Sequence, residues 1–461
     1  MPEENEHMTN RPPGPKGDPI WGARNEFRDH PLEFLLEASR YGDVSGWRFG
    51  PIPIFQINQP DLIHQVYVSD ADKFYKTTGS KEALGVALGN GLLTSDGDFW
   101  KRQRRLVQPA FHAQRITAYG DLMVQYTRRM LAGWQAGQTR DVHADMMRLT
   151  LEIVAKALFD TDIAGDVERI GQAMHIGQEN TFQRINTFVR LPVWFPTPRL
   201  RRGRAALKVL DEVVWGIINE RRKSGEDRGD LMSMLLLATD DEGDGTGMTD
   251  KQVRDETLTL LLAGHDTTAN TLTWAWYLLS QHPDVRQKLL AELDTVLAGR
   301  DPTVADLPKL VYTEQIIRET MRLYPAAWVT VREPQSPVNI GGYDLPRRYS
   351  VALVSAWSVH RDPCIWEEPE RFDPQRFAPG WEDRIHRYAY IPFGGGPRVC
   401  IGNAFSLMEA RLLLATIAQT VSLSLPAGQS VEPHAQITLS PKGGLPMLIG
   451  PRGAEKIGVA A

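Results

Sequence analysis

Between Thr257 and Ser280 the chain describes a helix that cannot lie on a surface. Leu258, Leu261, Leu262, Ala269, Leu272, Trp276 and Leu279 recur near the helical period, and both faces carry large apolar side chains. A helix apolar all round needs protein on every side. The chain can supply it: 461 residues, 42% hydrophobic and 24% charged, is the make-up of an ordinary folded protein. His282-Pro283 ends the pattern. One stretch opposes it. Ala263-Gly264-His265-Asp266-Thr267-Thr268 puts glycine, aspartate and two threonines in the helix interior, where all are poor formers. Threonine hydroxyls can bond the carbonyl four residues back and bend a helix, so an interruption is expected here.

Around this helix the remaining patterns are mostly helical. Residues 1–22 are polar, then Pro/Gly-rich (RPPGPKGDPIWG), and read as a stiff, extended leading segment. Val44–Ile57 mixes aromatic and β-branched residues with turn residues and reads as a hairpin. Helical patterns run from Pro60 to about Ser280, with a proline-rich gap at Arg190–Pro198 and an acidic loop at Asp240–Gly247. Lys309–Tyr324 is helical and stopped by Pro325. Residues 328–355 are short β pieces, Cys400–Val421 is a helix, and Ser422–Gly450 is terminal β-structure. Residues 357–400 show little periodicity, and long irregular segments within a domain are usually functional. Without repeats or a linker, residues 23–461 read as one large domain, mainly α with a minor β part.

Two cysteines exclude a disulfide framework or a four-cysteine zinc site and suit a reducing compartment. A net charge of −5 argues against nucleic acid, and the run Lys101-Arg102-Gln103-Arg104-Arg105 reads as a solvated helix face. The first ten residues lack a secretory pattern, and no apolar stretch approaches 20 residues. The expectation is a soluble, cytoplasmic protein without a membrane anchor.

The chemistry concentrates at Phe393-Gly394-Gly395-Gly396-Pro397-Arg398-Val399-Cys400-Ile401-Gly402. Three glycines allow a tight path with positive φ. A cysteine at a helix start is stabilised as thiolate by unpaired N–H groups, and can then be a nucleophile or a metal ligand. A buried structural cysteine is the plain alternative. A phosphate loop would need Lys-Ser/Thr, which is absent.

The whole string resembles the haem-thiolate signature of the cytochrome P450 family, Phe-x-x-Gly-x-Arg/His-x-Cys-x-Gly. Phe393, Gly396, Arg398, Cys400 and Gly402 fill its positions. The resemblance implies a haem-enclosing fold in which Cys400 ligates the iron of haem b (iron protoporphyrin IX). In such proteins the sulfur donates electron density that favours O–O cleavage. It implies that Phe393 packs near the sulfur and that Arg398 meets a propionate. Further matches extend the likeness over nearly the whole chain. Glu319-Thr320-Met321-Arg322 with Pro374-Gln375-Arg376-Phe377 matches the family's Glu-x-x-Arg and Pro-x-Arg-Phe pair, implying a buried network of Glu319, Arg322 and Arg376. Ala263–Thr268 matches the oxygen-groove motif, implying that Thr267 hydrogen-bonds dioxygen and Asp266 relays protons. Trp100 and Arg104 match a Trp-x-x-x-Arg pattern and Arg332 another propionate position.

The implied function is a monooxygenase that inserts one oxygen atom into a fatty acid, terpenoid, steroid or carotenoid. No flavin or iron–sulfur segment is seen, so a separate ferredoxin- or flavodoxin-type donor, with its reductase, would deliver electrons to a monomer. The basic run 101–105 would attract an acidic donor. A peroxide-using enzyme and a non-catalytic haem carrier are the alternatives; the pair Asp266–Thr267 favours the oxygen-activating route. The mostly apolar candidate pocket segments are Tyr75–Leu93, Gln178–Val193, Leu260–Thr267, Ala326–Val331 and Ile437–Leu439. Among them Ala263, Trp328 and Val329 are candidate pocket residues, with Trp328 narrowing it by bulk. Cys364 reads as structural.

Overall fold

The computed structural model describes residues 11–163, 165–187, 191–239 and 245–453. Residues 1–10, Arg190 and residues 240–244 of the expected acidic loop lie outside them. The backbone groups into two compact units, neither contiguous in sequence. The first holds the chain up to Lys81, Arg322–Arg371 and Pro379–Cys400; the second holds Glu82–Met321, Phe372–Ala378 and the chain from Ile401 on. Because the chain passes repeatedly from one to the other, no linker marks a boundary.

The first unit is built on a five-stranded sheet. Its order is Val44–Phe49, Ile52–Ile57, Val351–Val354, Thr330–Pro334, Phe74–Tyr75. The expected hairpin pairs Val44 with Ile57 and Phe49 with Ile52. Ile57, Val66, Phe74, Ile340 and Val354 pack into its core. Residues 357–400 run as turns and short helical pieces, irregular as the sequence indicates.

The second unit is helical, with small sheets from Thr139–Asp141, Pro446–Pro451 and Val421–Ser424, and from Pro433–Ala435 and Leu439–Pro441. Its central helix is longer than the apolar period shows: Asp250–Gln281, 32 residues. It starts earlier because Thr249 and Gln252 form a capping box, closing two otherwise unpaired N–H groups in a polar stretch that carries no period. The expected interruption at 263–268 does not occur. Thr267 Oγ1 donates to Ala263 O at 2.9 Å and Thr273 Oγ1 to Ala269 O at 2.7 Å, so the hydroxyls are satisfied inside the helix. The neighbouring helix Val142–Phe159 supports the same stretch: Thr150 Oγ1 donates to His265 O at 3.0 Å. Gly264 is where this neighbour comes close, since a Cβ there would lie 3.1 Å from Val154 Cγ2.

Trp274 anchors the central helix, fully buried, with Nε1 donating to Leu439 O at 3.0 Å. Trp274→Ala should destabilise the fold by about 3–5 kcal/mol through the cavity and the orphaned carbonyl. Chemical denaturation would show this as a lower midpoint with an unchanged slope.

Candidate active site

In the first unit the cysteine loop is folded back on itself. Cys400 N–H donates to Phe393 O at 3.0 Å and Val399 N–H to Gly396 O at 3.1 Å. Gly396 has φ +64°, and a Cβ there would sit 1.8 Å from Tyr67 O; one at Gly395 would sit 2.5 Å from the Tyr388 ring. The loop is thus pressed onto its own unit where side chains would intrude. Its outer edge is open: Cys400 is exposed, and Phe393 and Arg398 are half-buried. The helix that follows begins at Asn403 and ends at Ala418, with Gly402 as its N-cap. Cys400 therefore precedes the helix instead of opening it, because Ile401 and Gly402 are needed to turn the chain into its axis. Gly402 is not forced by packing: an added Cβ would meet only Phe111, at 3.8 Å. Cys364 is exposed on a turn, not a core residue, and the carboxylate of Asp362 pushes its thiol pKa up.

Arg332 lies half-buried on its strand with the guanidinium 5.7 Å from the Tyr67 ring centroid. Val329, three residues before it, is half-buried. Trp328 is not a pocket wall. It is 3% exposed and stacks on Phe27 at 6.2 Å, joined to an aromatic core with Phe34 and Trp47.

Arg322 organises the irregular segment. Fully buried, it donates to His360 O at 2.8 Å, Pro369 O at 2.7 Å and Arg371 O at 3.0 Å. Its guanidinium lies 5.2 Å from the Trp366 ring centroid. His360 Nε2 accepts from Ile391 N–H at 2.8 Å, which leaves Nδ1 to donate to Arg322 O at 3.2 Å. One guanidinium and one imidazole therefore hold the backbone from His360 to Ile391, the approach to the cysteine loop.

The second unit carries Glu319 and Arg376, 3.4 Å apart, with Glu319 Oε1 also accepting from Asp373 N–H at 2.9 Å. Glu319 and Arg376 thus form a carboxylate–guanidinium pair, and Arg322 bonds backbone carbonyls in its own unit. Trp100 is buried and Arg104 half-buried, one turn apart on the helix Gly97–Val107. The run 101–105 is less open than its sequence implies. Lys101 pairs with Asp98, Arg102 donates to Thr246 and Gly247, and Gln103 is fully buried.

Of central-helix residues 255–276, all are buried except Leu262, Ala263, Gly264 and Thr267. These make a strip, apolar except for one hydroxyl, on an otherwise enclosed helix. Thr267 gives its proton to Ala263 O, so it presents oxygen lone pairs instead of the donor expected from sequence. Asp266 is buried, and its Oδ2 has no hydrogen-bond partner among the described residues. Beside it His265 is buried, with Nδ1 3.1 Å from Leu261 O and Nε2 unpartnered; burial lowers its pKa and keeps it neutral.

Sequence reasoning missed Glu409. It is fully buried, neither carboxylate oxygen has a hydrogen-bond partner among the described residues, and burial raises its pKa well above the usual carboxylate value. Thr268, which favours its ionised form, has its Oγ1 3.0 Å from Ser406 Oγ. The signal was an acid within Leu407–Ala415, a stretch otherwise apolar except for Arg411. An apolar cavity lies in the same unit, lined among others by Leu84, Leu88, Gln178, Leu258, Leu262 and Ile437. Five of these six fall in segments singled out from sequence, and Leu258 does not.

The cytochrome P450 family profile matches residues 12–446. The chain belongs to the cytochrome P450 family. It is 39% identical to cyclooctatin synthase of Streptomyces melanosporofaciens over 441 residues, covering 95% of each chain. It is 36% identical to cyclooctat-9-en-7-ol 5-monooxygenase of the same organism, covering 98% of this chain and 97% of that one. Pentalenene oxygenase of Streptomyces avermitilis is 33% identical, with 92% and 94% covered. The crystal structure of the cytochrome P450DA heme domain superposes with a TM-score of 0.87 at 27% identity, over 96% of this chain and 98% of that one. This P450 is a haem-thiolate monooxygenase, an oxidoreductase that uses dioxygen, electrons from a redox partner and a hydrophobic organic substrate. No helix among the described residues is long and apolar enough to cross a membrane.

Arg322→Ala would leave the carbonyls of His360, Pro369 and Arg371 unbonded in the interior. The loss should be about 3–5 kcal/mol, and purified protein should carry less than half the wild-type haem per chain, measured by pyridine haemochrome against protein concentration.

Proposed function

We propose that Cys400 is the thiolate ligand of haem b, with Phe393 packed near the sulfur, Gly402 closing the loop, and Arg398, Arg332, Arg104 and Trp100 serving the propionates. Bound haem supplies iron that activates dioxygen; the sulfur's electron donation favours O–O cleavage. The observation that carries the reading is the strip Leu262–Ala263–Gly264–Thr267, less buried than the rest of residues 255–276, with Asp266 next to Thr267 in the chain. The strip suits a flat, largely apolar group, and the exposed thiol of a folded-back loop suits a metal. Asp266 holds a proton within the protein, and Thr267 orients its carrier by accepting a hydrogen bond. Ala263 and Val329 bound the space for substrate.

The substrate class is cyclic terpenoids. The apolar cavity lining supports this, as do relatives named for cyclooctatin, cyclooctat-9-en-7-ol and pentalenene chemistry. A separate ferredoxin- or flavodoxin-type protein delivers the electrons to a monomeric enzyme. Two exposed free cysteines suit the reducing cytoplasm.

Reduced protein exposed to carbon monoxide should show the thiolate-type Soret shift, and Cys400→Ala should lose it. Retention of that shift in the variant would remove Cys400 from the iron. Spectral titration with cyclic terpenes against fatty acids and steroids tests the substrate class; tighter binding of fatty acids would overturn it. Thr267→Ala should lower product formed per electron pair by about 10-fold, with substrate binding unchanged.

A further inference from the structure

The cavity in the second unit is apolar on nearly every side. Leu258 and Leu262 of the central helix, Leu88 and Ile437 are among its walls. Gln178 and Thr181, both on the helix Val167–Ile185, carry the only polar side chains that line it among the described residues. The two differ in what they have left to offer a ligand. Thr181 Oγ1 donates to Gly177 O at 2.8 Å, so its proton is committed inside the helix. Gln178 Nε2 is buried and has no hydrogen-bond partner among the described residues. A buried amide N–H in that state has lost its water and gained no partner in exchange. An apolar ligand leaves it so, whereas an oxygen acceptor restores the bond.

The size of the space narrows what enters it. The cavity measures about 30 Å³. A water molecule needs roughly 10–15 Å³, so the cavity takes a small substituent and not a ring system. Leu262 belongs both to its wall and to the less buried strip of the central helix. The cavity therefore adjoins the side of that helix assigned above to haem and substrate.

We infer that this cavity is the subsite for an oxygen-bearing substituent of the substrate, a hydroxyl or a carbonyl, which accepts a hydrogen bond from Gln178 Nε2. Gln178 is then a specificity-determining residue. The substrate is a cyclic terpenoid that already carries oxygen, not a plain hydrocarbon. A hydrocarbon of the same skeleton is disfavoured because it leaves the buried amide unpaired. The supply of such a substrate requires a preceding reaction that has put oxygen on the carbon skeleton: a cyclisation that ends by capturing water, or an earlier oxygenation.

The inference rests on the terpenoid reading of the substrate, and its test separates the two. Ferric holoenzyme is titrated with two pairs of probes, cedrene with cedrol and kaurene with kauran-16-ol, each alcohol differing from its alkene by one water. Calorimetry gives the dissociation constants without relying on the haem spectrum. In at least one pair the alcohol should bind about 10-fold tighter than the alkene. Gln178→Leu keeps a similar volume and removes both amide groups. It should load haem as wild type does and bring the alcohol down to the affinity of the alkene, with no loss for the alkene. Gln178→Met, unbranched and likewise without a donor, should do the same. Equal affinities within both pairs in the wild type would overturn the inference, whatever the variants do. So would a preference for the alcohol that survives in both variants. If the terpenes bind without preference, only the Gln178 inference falls. If none of the four binds while fatty acids do, the terpenoid reading falls and takes this inference with it.

Discussion

A helix enclosed on every side can place a polar group only against its own backbone, against a neighbour, or at an opening. The central helix uses all three. Thr267 and Thr273 bond carbonyls one turn back. His265 O and Asn270 receive partners from the helix Val142–Phe159. Others, Asp266 Oδ2 and His265 Nε2 among them, have no hydrogen-bond partner within the described residues. A buried polar atom without a partner costs about 1–3 kcal/mol. Two on adjacent residues, next to the helix's open strip, mark a place where stability gives way to chemistry. Glu409 adds another such group on a second buried helix.

The first unit solves a different problem. Residues 357–400 have no regular ladder to satisfy their backbone, so side chains must do it. Arg322 and His360 supply that service from buried positions. They bring rigidity to a segment whose sequence has the look of a loop. The cysteine loop inherits this support. Its glycines lie against Tyr67 and Tyr388, which fixes the path by contact, and its thiol is left at the surface of the unit. A ligand atom needs that combination: a held backbone and an accessible sulfur.

The family comparisons and the site geometry bear on different questions. The matched profile and the named relatives establish a haem-thiolate monooxygenase. They do not say which polar groups meet the central helix. The array of His143, Asn270 and Thr438 is visible only in the structure, and it draws on residues far apart in sequence.

The residues alone determined the apolar period of the central helix, the hairpin at Val44–Ile57 and the glycine-bounded cysteine, because each rests on contacts within a few residues. The signature around Cys400 was legible for the same reason: it is a local backbone path that few sequences can follow. The tertiary structure decided the rest. It kept the helix unbroken through Ala263–Thr268, since hydroxyl back-bonding and the Val142–Phe159 helix offset the poor propensity of that stretch. It moved Trp328 from pocket to core by stacking it on Phe27. It turned Arg322 toward carbonyls some 40 to 50 positions away, and it buried Glu409 without a hydrogen-bond partner among the described residues. Periodicity records which side chains avoid water; which polar groups meet is set by long-range packing, which no local spacing encodes.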